Sequence, residues 1–213
     1  MKTDELIALL ATGIEPVDRW LFARRLVIGL LIALLGASLM TVMLFGVRSD
    51  LAQVAATPLF WGKLALPGAL LIAALLVVIR LARPGLDVGL RWSGIGAPVL
   101  GVWAMALMVL SGVPEDQQLA LIFGRTWRTC PFNIALLSIP GFFALFRALQ
   151  ALAPTQLRLA GGVAGLLASA SATLAYCLHC PEMEVPFWGV WYVLGMAIPT
   201  LIGALLGPRW LRW

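Results

Sequence analysis

The chain has 213 residues, of which 62% are hydrophobic and 12% charged, with a formal net charge of +5. A soluble domain carries about 25% charged residues, so this chain has too little charge to coat a water-facing globule. An ordinary cytosolic enzyme, a disordered regulator and a free nucleic-acid binder are excluded, whereas in a bilayer the length suits about five to seven helices of roughly 20 apolar residues.

Residues 1–25 differ from the rest. Four acids and four bases lie there among short apolar patches. The acidic start and the missing small-residue cleavage site are not those of a signal peptide. Thr3 or Asp4 can cap a short helix that carries Leu6, Ile7 and Leu10 on one side, and Pro16 marks a break. Six apolar segments follow, at about 26–47, 58–79, 95–113, 132–149, 159–178 and 187–206, each long enough to cross hydrocarbon. Residues 26–206 thus form a transmembrane domain, and residues 207–213 a tail. Lys63 is the clear charge inside a span, and its aliphatic stem lets it snorkel to the nearer face.

The basic residues set the orientation. With the N-terminus in the cytoplasm, eleven lie inside: Lys2, Arg19, Arg24, Arg25, Arg80, Arg83, Arg91, Arg147, Arg158, Arg209 and Arg212. Four lie outside: Arg48, Lys63, Arg125 and Arg128. The positive-inside rule therefore puts both termini in the cytoplasm, and it accounts for the net charge without nucleic acid. Seven of the nine tryptophans sit near the boundaries, Trp20, Trp92, Trp210 and Trp213 inside and Trp61, Trp127 and Trp188 outside. That is an aromatic belt. Arg25, Arg91 and Arg158 open the odd helices, and Pro58, Pro131 and Pro186 open the even ones. The expected fold is all-α, with six transmembrane helices in three helical hairpins of similar plan. Gly161, Gly162, Gly165, Ala168, Ser169 and Ser171 would let the fifth helix approach its neighbours closely.

The spans hold little chemistry. No acid lies mid-membrane, which counts against a pump or secondary transporter. There is no phosphate-binding glycine loop, no His-Glu metal pair and no Gly-x-Ser-x-Gly elbow. The concentrated chemistry lies on the outer side, in Tyr176-Cys177-Leu178-His179-Cys180-Pro181-Glu182 and in Trp127-Arg128-Thr129-Cys130-Pro131. In a bacterium that side is the oxidising periplasm. Cys130 and Cys180 each precede a proline and flank consecutive helices, which brings them within reach of a shared bond or metal. Three readings stand. One is a structural Cys130–Cys180 disulfide. The second is thiolate chemistry, with Arg128 or His179 lowering a thiol pKa. The third is a soft metal ion (zinc, copper(I) or cadmium) held by Cys130, His179 and Cys180, with Cys177 or Glu182 as a further ligand. Cys177, one turn deeper than Cys180, serves as a resolving thiol or third ligand in these readings.

Several stretches together resemble the negative-regulator-of-sigma-F family (NrsF-type) of six-helix inner-membrane anti-sigma factors. They are Thr3-Asp4-x-Leu6-Ile7, Phe60-Trp61-x-Lys63-Leu64, Gly124-x-x-Trp127-Arg128-x-Cys130, Ala153-Pro154-Thr155-x-x-Arg158-Leu159-Ala160-Gly161, His179-Cys180-Pro181-Glu182, Trp191-Tyr192-x-Leu194-Gly195 and Gly207-Pro208-Arg209-x-Leu211-Arg212-Trp213. The resemblance implies a multi-pass protein of the bacterial inner membrane, not an enzyme, whose partners are an extracytoplasmic-function sigma factor and the bilayer, with no direct nucleic acid. It implies that residues 1–25 hold the sigma factor, and there Asp4, Leu6, Ile7 and Leu10, supported by Glu5, are the expected contacts. It also implies that the cysteines, Cys130 and Cys180 with Cys177 as a departure from the pattern, take part in sensing metal or oxidative stress and so release the sigma factor. No cofactor is certain; a soft metal ion at the periplasmic thiols is the candidate. A membrane thiol-disulfide oxidoreductase is the alternative function, and a small metal transporter a more distant one. Reporter fusions at both termini should read cytoplasmic, and a periplasmic signal from either end would refute the topology.

Overall fold

The structure is a computed structural model that describes residues 3–11, 20–82, 87–152 and 154–212, and every regular element among these is helical. α1 spans Thr3–Ala11. α2 spans Leu21–Met40 and continues into a π-helical turn, Thr41–Phe45. A short α3, Leu51–Ala55, precedes α4, Pro58–Leu81. A 3-10 turn at Gly89–Trp92 leads into α5, Ser93–Ser111, and then come α6, Glu115–Phe123, and α7, Cys130–Leu137. α8 is Ile139–Gln150, α9 is Leu157–Tyr176 and α10 is Val185–Trp210. Pro58, Pro131 and Pro186 all lie in a first helical turn, where an N–H has no intrahelical acceptor to lose.

Five stretches are long and apolar enough to cross a membrane: Leu21–Phe45, Pro58–Leu81, Gly89–Ser111, Leu157–Tyr176 and Val185–Trp210. α7 and α8 make a sixth if counted as one span, bent by 44°. The bend has a local cause. Pro140 has no N–H to offer the preceding turn, and the Ser138 hydroxyl turns back to donate to the Ala135 carbonyl at 2.6 Å.

α9 is the hub. Every residue from 160 to 173 is buried, and the helix packs against α10, α4, α8, α2 and α7. Lipid tails are as apolar as leucine, so helices in a bilayer associate through close van der Waals fit and interhelical hydrogen bonds. Small residues supply that fit here. A Cβ on Gly161 would fall on the Gly203 carbonyl, one on Gly165 on the Pro199 carbonyl, and one on Gly207 on the Leu157 carbonyl. The Ser169 hydroxyl adds a bond to the Met196 carbonyl of α10 at 3.2 Å. A second seam joins α2 to α8, where a Cβ on Gly141 would come within 2.6 Å of the Ala33 Cβ.

This packing corrects the expectation of three hairpins. α9 and α10 do pair as one, and α4 packs on α5. α2 and α4, however, do not pack along their lengths, nor does α5 pair with α7 and α8. The small residues of α9 face several ways at once, so α2, α4 and α8 gather on it instead of on their sequence neighbours. α3 and α6 were also not expected, since both are too short to span. On α1, Thr3 to Ile7 are exposed. The Leu10 side chain, Pro16, Lys2, Arg19, Arg83 and Trp213 lie outside what is described.

The bundle has two chemically distinct ends. The cysteine end holds residues 46–57, 112–129 and 177–184. The arginine end holds Arg24, Arg25, Arg80, Arg91, Arg147, Arg158 and Arg209. Gly161→Val should destabilise the protein by about 1–3 kcal/mol, the usual cost of overpacking. Gly162→Ala, whose Cβ would meet the Ala204 Cβ at 3.4 Å, should be tolerated. Thermal unfolding of the two purified variants measures the difference, and equal stability would contradict the close approach of α9 and α10.

Candidate functional site

The connection from α9 to α10, residues 177–184, is held from every side at the cysteine end. Lys63, on the second turn of α4, is fully buried. Its ammonium donates to the Cys180 carbonyl at 2.7 Å and the Glu182 carbonyl at 2.8 Å, and stands 5.7 Å from the centre of the Tyr192 ring. Arg48, just past α2, donates from Nη1 to the Cys180 carbonyl at 3.3 Å, and its backbone N–H donates to the Leu178 carbonyl at 3.1 Å. The rest of its guanidinium forms a two-point pair with Asp50, at 2.7 and 2.8 Å, and this keeps the Asp50 carboxyl below its ordinary range.

The connection in turn organises the approach to Cys130. The Glu182 carboxylate accepts from the N–H groups of Arg125 at 2.7 Å and Thr126 at 3.1 Å, and from the Thr126 hydroxyl at 3.3 Å. This fixes the turn that leads into α7. Gly124 there adopts a left-handed φ of +53°, and a Cβ on it would come within 2.7 Å of Glu182 Oε2. Trp188 Nε1 closes the far side on the Met183 carbonyl at 3.1 Å, and Trp191 Nε1 reaches the Ile122 carbonyl of α6 at 2.8 Å.

The three thiols are all free and fully buried. Cys130 and Cys180 are close neighbours that act on each other. Cys180 also bonds to the Tyr192 hydroxyl, which lies 3.9 Å from Cys177 Sγ. The thiols are not equivalent. The neighbouring Cys130 thiol holds Cys180 low despite burial, and the Lys63 cation and the Tyr192 hydroxyl add to the effect. Burial pushes Cys177 up to about 12, against the opposing pull of the Lys63 cation and the Tyr192 hydroxyl. The Cys130–Cys180 pair, with the Lys63 cation and the Tyr192 hydroxyl acting on Cys180, is therefore the part of the thiol set favoured to ionise.

The other expected residues are placed differently. His179 turns its Nδ1 to the Gly46 carbonyl at 3.1 Å, and its ring lies against Phe45 and Tyr176 at centroid distances of 5.3 and 5.7 Å. Arg128 lies over the Trp127 ring at 5.0 Å. Neither lowers the Cys180 thiol; Lys63 does. Among the described residues no three His, Cys, Asp or Glu side chains converge as a metal set. The expected trio of Cys130, His179 and Cys180 is thus not assembled, because His179 is engaged as a clamp on the end of α2. Lys63 corrects the snorkelling expectation, since it points into the bundle toward two carbonyls. It carried a legible signal, because an ionisable residue inside a span marks a functional site by default.

The sequence model of the family described as "Negative regulator of sigma F" matches residues 10–213. A protein of Azospira oryzae named "Probable anti-sigma-F factor NrsF" is 44% identical over 213 residues, covering 100% of both chains. The "Anti-sigma-F factor NrsF" of Caulobacter vibrioides is 38% identical over 222 residues, again across 100% of both. No solved structure matches the chain significantly.

The thiol pair gives a pH-dependent expectation. With its pKa lowered, Cys180 should ionise below the ordinary thiol range, and its reactivity should fall only as pH drops through that lowered value. Alkylation of Cys180, followed by mass spectrometry across pH, should show that midpoint, and Lys63→Met or Cys130→Ala should move it upward. A midpoint at the ordinary thiol value in the unmodified protein would refute the assignment.

Proposed function

The chain belongs to the negative-regulator-of-sigma-F family, and from this premise we propose that it is an anti-sigma factor of the bacterial inner membrane. It holds an extracytoplasmic-function sigma factor inactive, crosses the membrane six times with α7 and α8 as one bent span, and keeps both termini in the cytoplasm. Family membership is the observation that carries the reading. The sigma factor is held by the segment before α2. Its short helix α1, with Asp4, Leu6 and Ile7 exposed, supports this, and the Glu5 and Leu10 contacts belong to the same proposal.

The signal acts at Cys130 and Cys180, with Cys177 as a bystander. Two neighbouring thiols with no third ligand converging on them among the described residues favour oxidation over metal capture. With a peroxide as oxidant, the Cys180 thiolate attacks one oxygen and displaces the other as hydroxide or alkoxide, giving a sulfenic acid. The Cys130 thiol then attacks that sulfur, and its proton leaves with the hydroxyl as water as the disulfide forms. Two electrons pass from the thiols to the peroxide. The thiolate beside Lys63 is lost, which leaves a buried cation with only carbonyl partners, a costly state. The loop 177–184 is pushed toward another arrangement, and Arg48 and His179 transmit the change to the end of α2. A tenfold release of the sigma factor needs a differential of only about 1.4 kcal/mol.

Co-purification from detergent tests both parts. Deleting residues 2–12 should abolish sigma-factor retention while leaving membrane insertion intact; undiminished retention would move the contact elsewhere. The Cys130→Ser, Cys180→Ser double variant should retain the sigma factor and fail to release it with peroxide or a soft metal cation. A normal response would make the thiols structural.

A further inference from the structure

At the arginine end, α8 and α10 enclose two adjoining cavities. The first, of about 410 Å³, is lined by Phe143, Phe146, Arg147, Gln150, Arg209 and Trp210. The second, of about 280 Å³, starts at the same Phe143 and Trp210 and runs along the bundle past Phe142 and Ile202 to Ser138 and Pro199. The wall they share is aromatic. Trp210 stacks on Phe143 at 5.8 Å and meets Phe146 edge-on at 5.8 Å. One side of that wall presents two guanidiniums and an amide. The other is apolar throughout, since the Ser138 hydroxyl is spent on the Ala135 carbonyl. Neither Arg147 nor Arg209 has a carboxylate partner among the described residues.

We propose that these two cavities form one binding site for an anionic phospholipid, with its phosphate on Arg147 and Arg209 and an acyl chain in the groove between α8 and α10. Guanidiniums recognise phosphate through paired N–H donors, and basic pockets between helices at the cytoplasmic surface hold anionic lipid head groups. The required occupant is anionic at one end and thin and apolar at the other. An acidic helix, such as α1 of this chain or one of the sigma factor, satisfies the charge. It does not satisfy the groove, which is apolar throughout, climbs to the α7–α8 bend and, at about 280 Å³, is small beside a helix about 10 Å across. The proposal rests on the membrane part of the reading above and is independent of sigma-factor binding.

The test uses the full chain in nanodiscs of phosphatidylcholine doped with phosphatidylglycerol, with the lipid retained after detergent extraction counted by mass spectrometry. The two arginines should give phosphatidylglycerol a preference on the order of thirtyfold. Arg147→Gln with Arg209→Gln should abolish the preference, and Ile202→Trp, which fills the groove and leaves the charges, should lower retention of the lipid. No preference in the unmodified protein would overturn the proposal, as would a preference that survives the double arginine variant. Displacement of the lipid by inorganic phosphate, or by a peptide of residues 3–11, would overturn it too, by showing that the groove contributes nothing or that an acidic segment is the true occupant. If the double variant fails to fold, the unmodified protein and Ile202→Trp still decide. A protein that does not enter nanodiscs refutes the membrane reading; one that enters and shows no lipid preference refutes this proposal alone.

Discussion

Close backbone approach at α9 is the constraint from which the rest of the architecture follows. In hydrocarbon there is no hydrophobic gain from pressing two leucine faces together, so the stable contacts are those where backbones come near enough for many small attractions and a few polar bonds to add up. Gly161 and Gly165 set against Gly203 and Gly207 provide that approach on one side of α9. Ala160, Ala164, Ala168 and Ala172 are fully or almost fully buried on the same helix. A helix with so little side-chain bulk can be surrounded by five others, and it is. Leu167 and Tyr176 are the large fully buried side chains of α9, and the chemistry begins beside Tyr176, at the cysteine end.

That placement explains why the thiols meet. Because α9 is central, the loop that leaves it emerges among α2, α4, the α6–α7 turn and α10, and each of these contributes a tether. Four backbone carbonyls of the loop, at Leu178, Cys180, Glu182 and Met183, are taken by donors from Arg48, Lys63 and Trp188. Glu182 returns a carboxylate to the turn before Cys130. The two cysteines come from segments fifty residues apart in sequence, and their contact is enforced by these polar tethers and not by either segment's own propensity. The same tethers separate the thiols chemically. The Lys63 cation acts on both Cys180 and Cys177, but only in Cys180 do neighbouring groups outweigh burial.

Much of this was legible from the sequence where the physics is local. Span positions follow from runs of apolar residues, and prolines at helix starts follow from the missing N–H. The crowding of Cys130, Cys177, His179 and Cys180 at one end follows from counting spans. What failed to be legible depends on which face meets which. The hairpin expectation assumed that sequence neighbours pair, but the small-residue faces of α9 recruit α2, α4 and α8 instead. Lys63 was visible as an exceptional charge, yet whether its stem runs outward to water or inward to carbonyls is decided by a loop more than a hundred residues later. His179 is a residue type that ligates metals, and only the position of Gly46 at the end of α2 shows that its Nδ1 is already engaged. The α6 helix has a start signal in Pro114, Glu115 and Asp116, which suit a helix N-terminus, but with nine residues it carries no span-length apolar run to mark it.

α2 gives the two ends of the molecule a physical connection. It runs from Leu21, next to the N-terminal segment, through Phe45, next to the thiol loop, a length of about 37 Å at 1.5 Å per residue. Its last turn is π-helical: the Gly46 N–H reaches back five residues to the Thr41 carbonyl at 3.0 Å, and the Thr41 hydroxyl takes the Ala37 carbonyl at 2.8 Å. Such turns carry one residue more than the α ladder accommodates, and they are common at functional sites. This one delivers Phe45, Gly46 and Arg48 to Tyr176, His179 and Cys180. Along its middle, α2 is seated on α8 by Gly29, Ala33 and Gly36 against Leu145, Gly141 and Pro140. Contacts so close admit few intermediate positions, so a change in the loop is better accommodated by a discrete shift of α2 than by gradual bending. α8 is also the helix that carries Arg147, so a shift of α2 along this seam bears on the arginine end as directly as on the N-terminal segment.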